Sequence, residues 1–264
     1  MARVPSRFWL WTAPVGVGTA AAVVLAAGFV LALRGAIGEP IGEAPPPPSL
    51  PTPRPVKDGA RRILVVGDSL ARGTGDEAAR GFALDVLDAL KKRGPAELTN
   101  LGVNGMESTE VRALVESANV RALAAQASLI LVSAGGNDLS HAASRSAGSP
   151  ADLADAVAAA RTSYVDNLRG ILRALREANP TAPIAVIGLY DPFSGEPGPG
   201  RLGSSVILQW NNLVAETALA FPGVTVIPTF DILQARPDRL SADRYHPNRK
   251  GYAMIAERVL QSVD

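Results

Sequence analysis

Ser69 closes the tripeptide Gly67-Asp68-Ser69, which directly follows the apolar run Ile63-Leu64-Val65-Val66. Near the other end of the chain Asp243 and His246 stand three residues apart, with Pro247 next. The sequence holds only two histidines, His141 and His246, so the choice of a general base is narrow. A serine at the exit of a buried strand can be held exposed and rigid. An aspartate and a histidine at this spacing can share one side of a turn. These residue types supply a hydroxyl nucleophile, a base that takes its proton and a carboxylate that orients the base. Cysteine is absent, which excludes zinc–thiolate and iron–sulfur sites.

Such residues need a scaffold that brings them together. Apolar, β-rich runs at 63–66, 97–101, 129–133, 184–187 and 224–227 alternate with helical patterns. Helical spacing puts Phe82, Val86, Leu87 and Leu90 on one face of 82–92. A second helix begins near Ser108 and carries Val111, Leu114 and Val115. A third opens at Ser149-Pro150, a cap residue followed by proline at the first helical position, and runs with or without a break to Ala178. A fourth covers 205–220, and the last starts at Pro247 and holds Tyr252, Ile255, Val259 and Leu260. Strands alternating with helices imply a parallel sheet covered on both faces, and continuous apolar runs fit strands buried on both sides. In such sheets ligands bind beyond the carboxyl ends of the strands. Ser69, Asn104-Gly105, Gly135-Gly136-Asn137-Asp138 and the Asp243/His246 pair each follow a strand, so four segments converge on one edge.

Those segments, read as Gly67-Asp68-Ser69-Leu70, Asn100-Leu101-Gly102-Val103-Asn104-Gly105, Gly135-Gly136-Asn137-Asp138 and Asp243-x-x-His246-Pro247, resemble the four sequence blocks of the SGNH hydrolases, also called GDSL-type esterases and lipases. They occur in the family's order and at similar spacing, and the resemblance covers residues 61–264. Ala71-Arg72-Gly73-Thr74-Gly75-Asp76 and Gly188-Leu189-Tyr190-Asp191-Pro192-Phe193 are further similar to a bacterial YpmR-like subgroup. The resemblance implies a three-layer α/β/α sandwich with a parallel, flavodoxin-like sheet. It also implies a serine esterase that uses neither metal nor organic cofactor and cleaves small-molecule, lipid or sugar esters through an acyl-serine. Ser69 would be the nucleophile, His246 the base and Asp243 its partner. The Ser69 and Gly105 backbone amides and the Asn137 side chain would form the oxyanion hole. Acyl transfer to a sugar or lipid hydroxyl, and a catalytically silent cell-envelope binding module, are the alternatives on the same fold.

Other residues carry plainer expectations. Asp68 and Asp138 organise their loops through side-chain-to-backbone hydrogen bonds. His141 belongs to a solvent-exposed Ser/Ala-rich loop, Trp210 packs, and residues 191–200 form a loop that shapes the acyl pocket. Aromatic residues are only 5% of the chain, which gives no sign of a sugar-stacking platform. An α/β-hydrolase would show G-x-S-x-G where Gly67-Asp68-Ser69-Leu70-Ala71 stands. A dinucleotide-binding domain would show G-x-G-x-x-G straight after the first strand, where Gly73 and Gly75 arrive late.

Upstream of the domain, residues 8–33 carry no charge, after Arg3 and Arg7. A membrane-spanning helix needs about 20 apolar residues, and Trp9 and Trp11 sit where an interfacial belt would fall. Residues 1–38 read as an N-terminal transmembrane anchor, with a long cleaved signal peptide as the alternative. Residues 39–60 read as a Pro-rich extended linker, and 61–264 as the hydrolase domain. The basic residues ahead of the run put that domain outside the cytoplasm. A net charge of +1 with no basic stripe argues against nucleic-acid binding, and no obligate protein partner is evident.

Overall fold

Five strands are dictated by the apolar runs: β1 (Arg61–Gly67), β2 (Ala96–Gly102), β3 (Leu129–Ser133), β4 (Ile184–Ile187) and β5 (Val224–Ile227). They form one sheet in the order β2-β1-β3-β4-β5, with every pairing parallel. The computed structural model describes residues 59–146, 150–193 and 200–263. The uncharged run at 8–33 and most of the Pro-rich linker fall outside them, as do residues 194–199. Among the described residues no helix is long and apolar enough to cross a membrane.

Alternation along each strand sends side chains to both faces of the sheet. Leu64, Val66, Ile130, Val132, Ile184 and Val186 enter one apolar layer. There they meet α3 (Ser108–Glu116), α4 (Ala118–Ala125), α6 (Pro150–Ala178) and α7 (Gly200–Ala218). Ile63, Val65, Leu129, Leu131, Ala185, Ile187 and Ile227 enter the other. That layer is closed by α1 (Ser69–Arg72), α2 (Gly81–Lys91) and α9 (Arg249–Val263), through Leu70, Phe82, Val86, Tyr252 and Ile255. The result is the expected α/β/α sandwich with flavodoxin-like strand order. Two short elements, α8 (Phe230–Leu233) and a 3₁₀ turn (Pro237–Arg239), lead from β5 towards α9.

Several boundaries differ from the sequence reading for local reasons. The segment around His141 is not a loop: α5 spans Gly136–Arg145. Its Gly-Gly opening and Ser/Ala-rich body hide a helix whose inner side is Asp138 and Ala142, both buried. Helix α4 was also not expected, being short and separated from α3 by Ser117 alone. Helix α6 is continuous over 29 residues. Helix α9 starts at Arg249 because Asn248 caps it, its Oδ1 accepting from the Lys250 and Gly251 N–H groups at 3.0 and 3.2 Å. Trp210 packs as expected, fully buried against the Tyr164 ring at a centroid distance of 4.8 Å.

The strand ends matter most for position. Gly67 pairs with Gly102 on one side and Ser133 on the other, Ser133 pairs with Ile187, and Ile187 pairs with Ile227. All five strands therefore stop on one row. The chain reverses direction across the sheet between β1 and β3, which opens a crevice at their carboxyl ends.

Leu131 tests this two-sided sheet. It lies at the centre of β3 and is fully buried. Leu131→Ala should destabilise the fold by about 2–5 kcal/mol, read as a lower urea midpoint with an unchanged slope. A wild-type midpoint would be incompatible with this packing.

Candidate active site

Ser69 is the first residue of α1, and Asp68 is the residue that caps it. The Asp68 carboxylate, almost fully buried, accepts from the Leu70 N–H at 3.0 Å and the Ser133 hydroxyl at 2.6 Å. Burial pushes its carboxyl up from the usual range, and these hydrogen bonds act in the opposite sense. Asp68 thus ties the turn after β1 to the end of β3. The Ser69 N–H is among the amides that a helix start leaves without an intrahelical acceptor.

His246 reaches Ser69 from the far end of the domain. Its Nε2 lies 2.9 Å from the Ser69 Oγ, and its Nδ1 lies 2.6 Å from Asp243 Oδ2. The other Asp243 oxygen accepts from the Ser241 hydroxyl at 2.6 Å and from the Tyr245 and His246 N–H groups, each at 2.9 Å. Burial by itself would raise the Asp243 carboxyl. The hydrogen bonds from Ser241, His246 and the two amides outweigh it and hold the group at about 2. An ionised carboxylate can only accept, so Nδ1 carries the proton that faces it. In the uncharged ring Nε2 is then the acceptor facing the Ser69 hydroxyl. The turn is closed by the Ser241 N–H donating to the His246 carbonyl at 2.8 Å.

The two remaining blocks meet each other beside this array. Gly105 takes φ +79°, a left-handed conformation that favours glycine, and no atom lies within 4 Å of where a Cβ would project. Asn137, near the start of α5, donates one amide hydrogen to the Met106 carbonyl at 2.8 Å. Asn104 accepts from the Thr74 hydroxyl at 2.7 Å, which ties this loop to the segment after α1. Asp138 accepts from the Ser108 N–H at 2.9 Å and from its hydroxyl, holding the start of α3. Asp68 and Asp138 are therefore organisers, as expected. Ser69, Asp243 and His246 form one connected chain, and Gly105, on the loop after β2, adjoins Asn137 at the start of α5 through the Met106 carbonyl.

Residues outside the four blocks also build the site. Gly75 packs so closely that a Cβ there would come within 2.6 Å of the His246 Cβ and 2.8 Å of the Pro247 carbonyl oxygen. In the sequence the Gly73-Thr74-Gly75 stretch stood out only for its likeness to a YpmR-like subgroup. Arg249, at the start of α9, pairs with Asp76 at 3.0 Å and with Asp85, fixing the helix that follows His246. Asn211 brackets Leu189, accepting from its N–H at 2.7 Å and donating to its carbonyl at 2.8 Å. Three aromatic rings gather beside His246, which low aromatic content did not foretell. Tyr245 meets His246 edge-on at 5.0 Å and contacts Tyr190 and Phe193 at 6.5 and 6.0 Å. Burial holds the Tyr245 hydroxyl up at about 12, so a neutral phenol stands next to the imidazole. Among the described residues no three His, Asp or Glu side chains are grouped as metal ligands.

This arrangement is that of a hydroxyl nucleophile with a paired base and nearby amide donors, suited to acyl transfer. A family model described as the GDSL-like Lipase/Acylhydrolase family matches residues 65–254. The uncharacterized protein YpmR of Bacillus subtilis (strain 168) is 25% identical over 207 residues, covering 76% of this chain and 80% of that protein. The lipase Lip_vut3 from a goat rumen metagenome has a similar fold, with TM-score 0.69 and 22% identity over 76% of this chain and 97% of that one. The acetylxylan esterase Axe2 from Geobacillus stearothermophilus matches with TM-score 0.58 and 18% identity, over 78% and 95%.

The hydrogen-bond shell of Asp243 predicts a pH signature. Its carboxyl lies at about 2 in the folded chain against about 3.9 unfolded. A depressed carboxyl contributes stability above the unfolded value and loses it as pH falls towards the folded one. Asp243→Asn should therefore melt below wild type near pH 6, and the gap should narrow between about pH 4 and about pH 2. A gap that stays constant through that window would refute the assigned shell.

Proposed function

The chain belongs to the GDSL-like lipase and acylhydrolase family, the SGNH hydrolases, and from this we propose that it is a serine esterase that cleaves carboxylic esters through an acyl-serine. The observation that carries the reading is the continuous Ser69–His246–Asp243 contact, at 2.9 and 2.6 Å. In the proposed mechanism the Ser69 Oγ attacks the ester carbonyl while His246 Nε2 takes the hydroxyl proton. Asp243 holds the ring and stabilises its charged form. The carbonyl oxygen becomes an oxyanion held by the Ser69 and Gly105 N–H groups and the Asn137 amide. Asn137 spends one amide hydrogen on the Met106 carbonyl, which leaves the other for the oxyanion. Each donor of this kind is worth on the order of 10²–10³ in turnover.

The alkoxide leaves with the proton from His246 Nε2. Water then gives a proton to the same nitrogen and attacks the acyl-serine, and the collapse returns Ser69 and a carboxylic acid. Every proton passes through one imidazole, and no atom changes oxidation state, so the chemistry asks for no redox partner. For the whole chain we propose an N-terminal membrane anchor at residues 1–38, a linker at 39–60 and a catalytic domain outside the cytoplasm. This rests on the uncharged run, Arg3 and Arg7 ahead of it and the Pro-rich segment after it.

An active-site fluorophosphonate should label the domain, and Ser69→Ala should abolish labelling. With p-nitrophenyl acetate, wild type should show steady turnover. His246→Ala should cost on the order of 10⁶-fold while a cooperative melting transition persists. Absence of both labelling and turnover in the wild type would favour a silent binding module. Labelling that survives Ser69→Ala would move the nucleophile elsewhere.

Localisation has its own test. Full-length protein expressed in bacterial cells should remain with membranes through a carbonate wash, and protease added outside the cells should reach the domain. Recovery of a soluble form cut near residue 35 would show a cleaved signal instead.

A further inference from the structure

His141 has no part in the mechanism above, yet its placement is specific. It lies four residues after Asn137 on α5, so the two side chains share one helix face, about 5–6 Å apart at Cβ. Both side chains also reach the same short stretch after Gly105. The Asn137 amide binds the Met106 carbonyl, and His141 Nδ1 lies 2.5 Å from the Glu107 carboxylate. The imidazole therefore stands one helical turn along from the proposed oxyanion donor, beside the same loop. It is not needed as a pin, because Arg145 already binds the same Glu107 oxygen at 3.2 Å. Nor is it a core residue, since its side chain is 41% exposed.

Glu107 fixes which ring atom is available. With Nδ1 turned to the carboxylate, Nε2 is the free nitrogen, and among the described residues it has no hydrogen-bond partner. An uncharged ring of this tautomer accepts at Nε2, and a charged ring donates there. A hydroxyl is the substrate group that satisfies either state, because it both donates and accepts. A wholly alkyl group at that position would leave the exposed nitrogen to water.

Resting on the esterase reading of the same site, we propose that His141 is a specificity residue. Its Nε2 hydrogen-bonds a substrate hydroxyl close to the ester, so the preferred substrates are polyol or sugar esters and hydroxy-acyl esters over simple alkyl esters. A site that hydrogen-bonds a substrate hydroxyl discriminates against the analogue that lacks it, because the protein group is then left unpaired.

Two matched substrate pairs test this. Glycerol monoacetate and propyl acetate share an acetyl group on a three-carbon alcohol and differ only in free hydroxyls. Ethyl lactate and ethyl propanoate make the same comparison on the acyl side. Wild type should show a higher kcat/KM for the hydroxylated member of at least one pair. His141→Phe keeps a flat ring but offers no hydrogen bond, and should reduce that preference about 3–10-fold, the worth of one neutral hydrogen bond. His141→Gln can place an amide where Nε2 lies and should restore part of it. Melting curves of both variants serve as the folding control. The same preference ratio in wild type and His141→Phe, or no preference in wild type for either pair, would overturn the proposal. If wild type neither labels with fluorophosphonate nor turns over p-nitrophenyl acetate, the esterase reading fails; if it does both but hydrolyses no ester in either pair, the specificity role alone is overturned.

Discussion

The end of the sheet is one row of paired residues, Gly102, Gly67, Ser133, Ile187 and Ile227, and the site depends on that shared stop. Parallel register means that a strand longer or shorter by two residues would carry its following loop some 6–7 Å up or down. Because the strands end level, the turn after β1, the loop after β2 and the helix after β3 leave the sheet at one height. The side chains that emerge there then need only short local turns to meet. The apolar layers on either face fix this register. A slip of one residue would exchange the two apolar faces of a strand and set each side chain against the wrong layer, where close packing does not fit it.

Above that row, polar side chains hold backbone segments to one another. Asp68 joins β1 to β3, Asp138 joins α5 to α3, and Asn137 joins α5 to the loop after β2. Thr74 connects the segment after α1 to the second block at Asn104. Buried polar groups without partners are costly, so each of these bonds also removes a reason for its loop to move. Arg249 with Asp76 and Asp85 does the same for the last helix. The catalytic geometry proposed here sits on these supports and does not have to hold itself.

The histidine turn shows how much of the local shell is spent on one side chain. Asp243 takes four hydrogen bonds, three of them from its own turn and one from the imidazole. Arg244, between the two, has φ +56°, a conformation that costs a non-glycine residue something. The turn keeps it while placing Asp243 below Nδ1 and Tyr245 edge-on to the ring. On the other side Gly75 presses against the same histidine. The imidazole is bounded by a carboxylate, an aromatic edge and a glycine backbone, which leaves its Nε2 facing Ser69.

The sequence by itself determined the strands, the layered α/β class and the four blocks. Those signals are local: apolar runs with a two-residue or helical period, and residue types at fixed spacing. Three of the five strands, β3, β4 and β5, span the residues their apolar runs predicted. What the sequence could not show was anything that depends on distant residues meeting. Helix α5 reads as a loop because its glycines and serines are poor local helix formers, whereas in the fold Asp138 and Asn137 dock it against α3 and the loop after β2. The aromatic group at Tyr190, Phe193 and Tyr245 is invisible in composition because its members come from two segments about fifty residues apart. The closeness of Gly75 to His246, and of His141 to Glu107, likewise exists only once the sheet has set its loops side by side. Local pattern chose the elements, and tertiary packing chose which side chains share one crevice.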